Sequence, residues 1–83
     1  MAFSATDLAT LRQALPVDAE LAPCQPGDLQ VTFDVSIDRI TLIARDGCVD
    51  WEFDRNPIVE WNRARGTSPD IVTAIHDALA CAD

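Results

Sequence analysis

From Leu29 to Ile37 every second residue is apolar: Leu29, Val31, Phe33, Val35 and Ile37 alternate with Gln30, Thr32, Asp34, Ser36 and Asp38. Alternation with period two marks a strand with one buried face and one solvated face. A second strand is predicted over 39–45. A third is predicted over 48–54, where Val49, Trp51 and Phe53 alternate with Cys48, Asp50, Glu52 and Asp54. Asp46-Gly47 lies between them. This pair favours a two-residue type I′ turn, whose central residues both take positive φ. Such a turn sets Arg45 against Cys48, Ala44 against Val49, Leu42 against Trp51 and Ile40 against Phe53. A two-residue loop at Ile37-Asp38 would set Val35 against Ile40, Phe33 against Leu42 and Val31 against Ala44. Both alignments put apolar on apolar, and a slip of one residue would destroy the agreement. The expected unit is a three-stranded antiparallel meander. Its polar face holds the carboxylates Asp34, Asp50, Glu52 and Asp54, offset in part by Arg39 and Arg45.

The flanks change to helical period. Ser4 is placed as an N-cap, and Asp7 completes an acidic variant of the capping box. Phe3 and Leu8 take the positions of a hydrophobic staple. Leu8, Leu11 and Leu15 make one stripe, and Pro16 stops the helix, giving a helix over 5–15. Residues 16–28, with Pro16, Pro23, Pro26 and Gly27, read as a connector with room for one helical turn around Asp18–Ala22. Asn56-Pro57 opens a short helix over 57–65, with Ile58 and Trp61 on one face and Gly66 as its C′ residue. Ser68-Pro69-Asp70 repeats the start signal for a last helix over 69–81, with Ile71, Val72, Ile75, Leu79 and Ala82 as its stripe. The expected fold is a single α+β domain, 1–83, with an N-terminal helix, a three-stranded meander, then a short helix and a C-terminal helix packed on one sheet face.

Charge narrows the choice of partner. The chain has 83 residues with 14 Asp and Glu against 6 Arg, no Lys, and a net charge of −8. Direct binding to nucleic acid or to an anionic membrane needs a basic footprint, which this chain lacks. The acidity serves solubility on one reading and a basic partner on the other. No stretch reaches the ~20 apolar residues of a membrane span, and the opening residues read as an amphipathic helix rather than a signal peptide. A cytoplasmic protein is therefore expected. The cysteines Cys24, Cys48 and Cys81 are odd in number and lack C-x-x-C spacing, so they read as three independent thiols.

Chemistry finds few handholds. His76 is the sole histidine, and Cys81 lies five residues on, a poor helical spacing for a shared metal. Neither G-x-x-x-x-G-K nor G-x-G-x-x-G occurs. The carboxylates lie on an open sheet face, which offers no burial to raise a catalytic pKa. The expectation is a non-enzymatic protein-binding domain with no cofactor and no metal. Two versions follow. In one, Asp34, Asp50, Glu52 and Asp54, with Trp61 as an aromatic anchor, meet a basic surface of a nucleic-acid-handling complex. The domain would then be a small inhibitor or nucleic-acid mimic of the phage anti-restriction or anti-CRISPR type. In the other, an adaptor, chaperone or immunity-type protein binds through apolar patches such as Ile43, Ile58 and Trp61. A homodimer that covers sheet edges also fits.

Overall fold

The structure is a computed structural model, and it describes residues 2–55 and 63–82. Its elements are α1 (Ala5–Ala14), β1 (Glu20–Leu21), β2 (Gln30–Val35), β3 (Asp38–Arg45), β4 (Cys48–Arg55), β5 (Arg63–Ser68) and α2 (Ile71–Ala80). The strands form one antiparallel sheet of five in chain order, β1-β2-β3-β4-β5. The three-stranded meander is thus the middle of a larger sheet. β1 replaces the helical turn expected in the connector, with Glu20 opposite Asp34 and Leu21 opposite Phe33.

The short helix over 57–65 is also overturned, because Arg63–Arg65 belong to β5. Arg63, Arg65 and Thr67 face outward while Ala64, Gly66 and Ser68 face inward. That is a period-two pattern, hidden because its inward residues are small rather than large and apolar. Gly66 therefore caps no helix. It pairs with Trp51 in mid-strand. Ile58 and Trp61 lie outside the described residues.

The β3–β4 hairpin has the predicted register, Arg45 to Cys48 through Ile40 to Phe53, and Gly47 takes φ 78°. The β2–β3 register differs. Its loop is Ser36-Ile37, with Val35 opposite Asp38, Phe33 opposite Ile40 and Val31 opposite Leu42. Ser36 takes φ 57°, supplying the left-handed backbone that a tight primed turn needs. The displacement from the expected alignment is two residues, so every side chain keeps its face. Leu29 and Ile37, expected inside the strand, are exposed beside it.

The helices cover one face of the sheet. α2 packs across β3, β4 and β5, and α1 packs on α2. The core between the layers includes Leu8, Leu11, Val31, Phe33, Ile40, Leu42, Val49 and Phe53. On α2 the buried stripe is Ile71, Ala74, Ile75 and Ala78, and Val72 faces solvent. The two alanines let the helix approach the sheet closely. Phe3 and Leu8 are both buried, as a staple requires, and the capping box between Ser4 and Asp7 is formed. At α2 the N-cap is Asp70, whose side chain accepts from the Thr73 amide at 2.8 Å. Ser68, expected as that cap, instead closes β5 and is buried.

Two polar devices tie the layers together. The Trp51 indole N–H donates to Ser68 Oγ (3.2 Å), and Ser68 donates to Asp77 Oδ2 on α2 (2.6 Å). Asp38 is buried on the inward face, and Arg55 answers it from the opposite strand with Nε 3.5 Å from Oδ1. Arg55 also lies over the Phe53 ring and donates to the Ala82 carbonyl, fastening the end of α2 to β4.

Candidate interaction surfaces

From β2 to β5 the charged residues of the outward sheet face alternate in sign from strand to strand. One row reads Glu20, Asp34, Arg39, Asp54, Arg63 across β1 to β5. The next reads Thr32, Thr41, Glu52, Arg65. Arg39 Nε donates to Asp34 at 3.0 Å and Arg45 Nε to Asp50 at 2.8 Å, while Arg63 Nε stands 3.4 Å from Asp54. Thr67 donates to the other oxygen of Asp50 at 2.7 Å. Arg65 stands opposite Glu52. The structure therefore brings Asp34, Asp50, Glu52 and Asp54 onto one face, as the alternation predicts. It also sets an arginine beside or across from each. β5 supplies Arg63 and Arg65, so the face is far closer to neutral than three strands suggest.

The pairing shows in the titration of its groups. Thr67 and Arg45 donate hydrogen bonds that hold the Asp50 carboxyl below the usual range, and Asp34 raises Arg39. The Thr73 amide lowers Asp70 in the same way at the α2 cap. A carboxyl whose folded pKa is depressed stabilises the fold above its unfolded pKa of about 3.9. That stabilisation is lost as pH falls through the folded value. Asp70→Asn keeps a competent N-cap but removes the titration. The expected result is a Tm close to the parent's at neutral pH and a smaller drop in Tm on acidification below pH ~4. Thermal melts across that range check it, and an unchanged acid profile would refute the assignment.

A second surface lies at the β1 edge. The last turn of α1 and the connector enclose an open groove of about 750 Å³, with Leu15, Pro16, Val17, Ala19, Leu21, Ala22 and Pro23 in its lining. Arg12 and Cys24 join them, with Arg12 Nη2 3.8 Å from Cys24 Sγ. Val17 is fully exposed, at 105%.

A third lies at the end that holds the β3–β4 turn and the starts of both helices. Asp7, Asp70, Arg45 and Gly47 line one cleft there. Asp46 is in the turn, and Asp28 is tied to Phe3 through its backbone carbonyl at 2.9 Å. Four carboxylates, Asp7, Asp28, Asp46 and Asp70, are therefore gathered at this end, where Arg45 is already paired with Asp50.

The chain matches no family model, no curated protein and no solved structure.

Other sequence candidates disperse. His76 is exposed on α2, and the three cysteines are free. Among the described residues no cluster of three or more His, Cys, Asp and Glu could hold a metal ion. Nor is any helix among them long and apolar enough to cross a membrane. Trp61, expected as an aromatic anchor, lies outside the described residues. Sequence reasoning missed the connector groove, because its residues are scattered between Arg12 and Cys24 without a period. It also missed Arg63 and Arg65 as sheet residues, although the alternation of 63–68 was the available signal.

Proposed function

We propose that the domain is a non-enzymatic protein-interaction module, of the adaptor or immunity type, that docks a partner on the apolar groove at the β1 edge. One observation carries this reading: the sheet-face carboxylates are answered by arginines, whereas the groove leaves Val17, Ala22 and Pro23 exposed beside half-buried Leu15 and Leu21. Apolar residues grouped at the surface mark interaction sites, whereas singly exposed ones are ordinary. On this reading the net acidity serves solubility.

The acidic end supports a second reading, in which Asp7, Asp28, Asp46 and Asp70 meet a basic partner such as a nucleic-acid-handling complex. Mimicry of a nucleic acid by the sheet face itself has less support. The β4 row of Asp50, Glu52 and Asp54 is flanked on both sides by arginine-bearing strands. A basic partner would approach cation as well as anion there.

Capture from the natural host's lysate at low and high salt separates the two readings. The expected partner survives high salt, because apolar contacts are insensitive to screening. It is lost on Val17→Asp, a substitution at a position free of packing, with the circular dichroism spectrum unchanged. A partner that Val17→Asp retains and that high salt or Asp46→Asn releases assigns function to the acidic end instead.

A further inference from the structure

We infer that the groove at the β1 edge accepts an extended acidic–apolar segment of a partner protein, with an Asp or Glu side chain of that segment paired to Arg12. The inference rests on the apolar docking reading above and adds the chemistry of the ligand.

Arg12 is the odd cation of this chain. Arg39, Arg45, Arg55 and Arg63 each have a carboxylate within 3.5 Å, and Arg65 faces Glu52 across the sheet. Among the described residues the one side-chain hydrogen bond of Arg12 goes to Cys24 Sγ, a weak acceptor. Its place in the last turn of α1 suits the helix dipole. A dipole fills few of the five donors that a guanidinium carries. In a chain of net charge −8, a guanidinium without a carboxylate partner among the described residues stands out.

The surroundings favour a carboxylate arriving from outside. Arg12 is the single charged side chain in the groove lining. Asp18 and Glu20 alternate with Ala19 and Leu21 and stay out of that lining. An incoming carboxylate thus meets one positive charge above apolar residues. At this open, exposed position the ion pair is worth about fivefold in affinity or less, so it selects the charge of the ligand while the apolar residues supply the rest of the contact. The neighbouring strand calls for an extended ligand. β1 terminates the sheet, and although its two residues make a short, blunted edge, an extended ligand beside it can still reach the outer backbone groups of Leu21.

The test uses a phage-displayed library of short random peptides, panned on the full chain with Val17→Asp as the negative selection. Enriched peptides are expected to carry Asp or Glu close to a bulky apolar residue. Synthetic copies should slow alkylation of Cys24 and leave Cys48 and Cys81 unprotected, which locates the binding. Arg12→Glu should weaken them by about fivefold, the effect of losing one exposed ion pair and placing a like charge in its stead. Exchanging the peptide's acid for Lys should restore binding to Arg12→Glu. Peptides that respond to Val17→Asp but bind Arg12→Glu as well as the parent overturn the acidic specificity and leave apolar docking standing. No enrichment over Val17→Asp overturns both. Concentration-dependent self-association in sedimentation, lost in Arg12→Glu, gives the groove to a second copy and also overturns the inference.

Discussion

Gly66→Ala is expected to destabilise the domain by about 2 kcal/mol, within the range for overpacking a filled core. Two effects of opposite sign meet at this position. Strand propensity favours the substitution, since glycine within a strand costs roughly 0.5–1 kcal/mol relative to alanine. Space opposes it. A Cβ at position 66 would stand 2.5 Å from Cζ2 and 2.7 Å from Cε2 of Trp51. The ring has little freedom to yield, because its N–H is bonded to Ser68, which is bonded in turn to Asp77 on α2. Relief requires the ring to leave Ser68 or β5 to move away from β4. The steric effect wins, and Tm should fall by roughly 10 °C for a domain of this size. Urea and thermal unfolding measure it. In a Trp51→Leu background the penalty should largely vanish, the coupling expected of residues in contact. A Gly66→Ala protein as stable as its parent would show that Trp51 does not lie where the structure puts it.

Phe33→Ala should cost more, about 3–5 kcal/mol. Phe33 is 1% exposed in the middle of β2, with Leu21 of β1 on one side and Ile40 of β3 on the other. Truncation removes a large buried ring and leaves a cavity between sheet and helices. A domain of this length has a total stability of roughly 4–12 kcal/mol, so the variant approaches half-unfolded at the low end of that range. Val72→Ala is the matched control. Val72 was expected in the buried stripe of the last helix, yet it is half exposed, and its loss should barely move the urea midpoint. Equal effects of the two substitutions would refute the assignment of the core.

Legibility followed the size of the side chains. Helices α1 and α2 and the strands β2, β3 and β4 were readable because large apolar residues mark their inward positions. β5 was not, because Ala64, Gly66 and Ser68 are small, and they are small because Trp51 and α2 fill the space above them. β1 was too short to show any period. The last helix was expected over 69–81 and spans Ile71–Ala80, its end one residue and its start two residues off, because Ser68, Pro69 and Asp70 all resemble start signals and only the hydrogen bond to Thr73 distinguishes them. The proposed groove was not legible; of the site expected from the sequence, the carboxylates and their common face were. Their partners on β5 were not, and that changed the meaning of the face from acidic to mixed.

The β2–β3 register has a consequence for what the sequence encodes. Slide β2 by two residues, and Val31, Phe33 and Val35 meet Ala44, Leu42 and Ile40 in place of Leu42, Ile40 and Asp38, all still facing the helices. The core hardly distinguishes these alignments. The outward side chains do: only the observed one sets Thr32 beside Thr41, with hydroxyls 3.3 Å apart, and Asp34 across from Arg39. Ser36, with its left-handed backbone, adds its vote at the turn. In this hairpin the greasy side says that a sheet forms and the wet side says which one. A surface substitution there can thus corrupt the fold's identity while leaving its stability almost untouched.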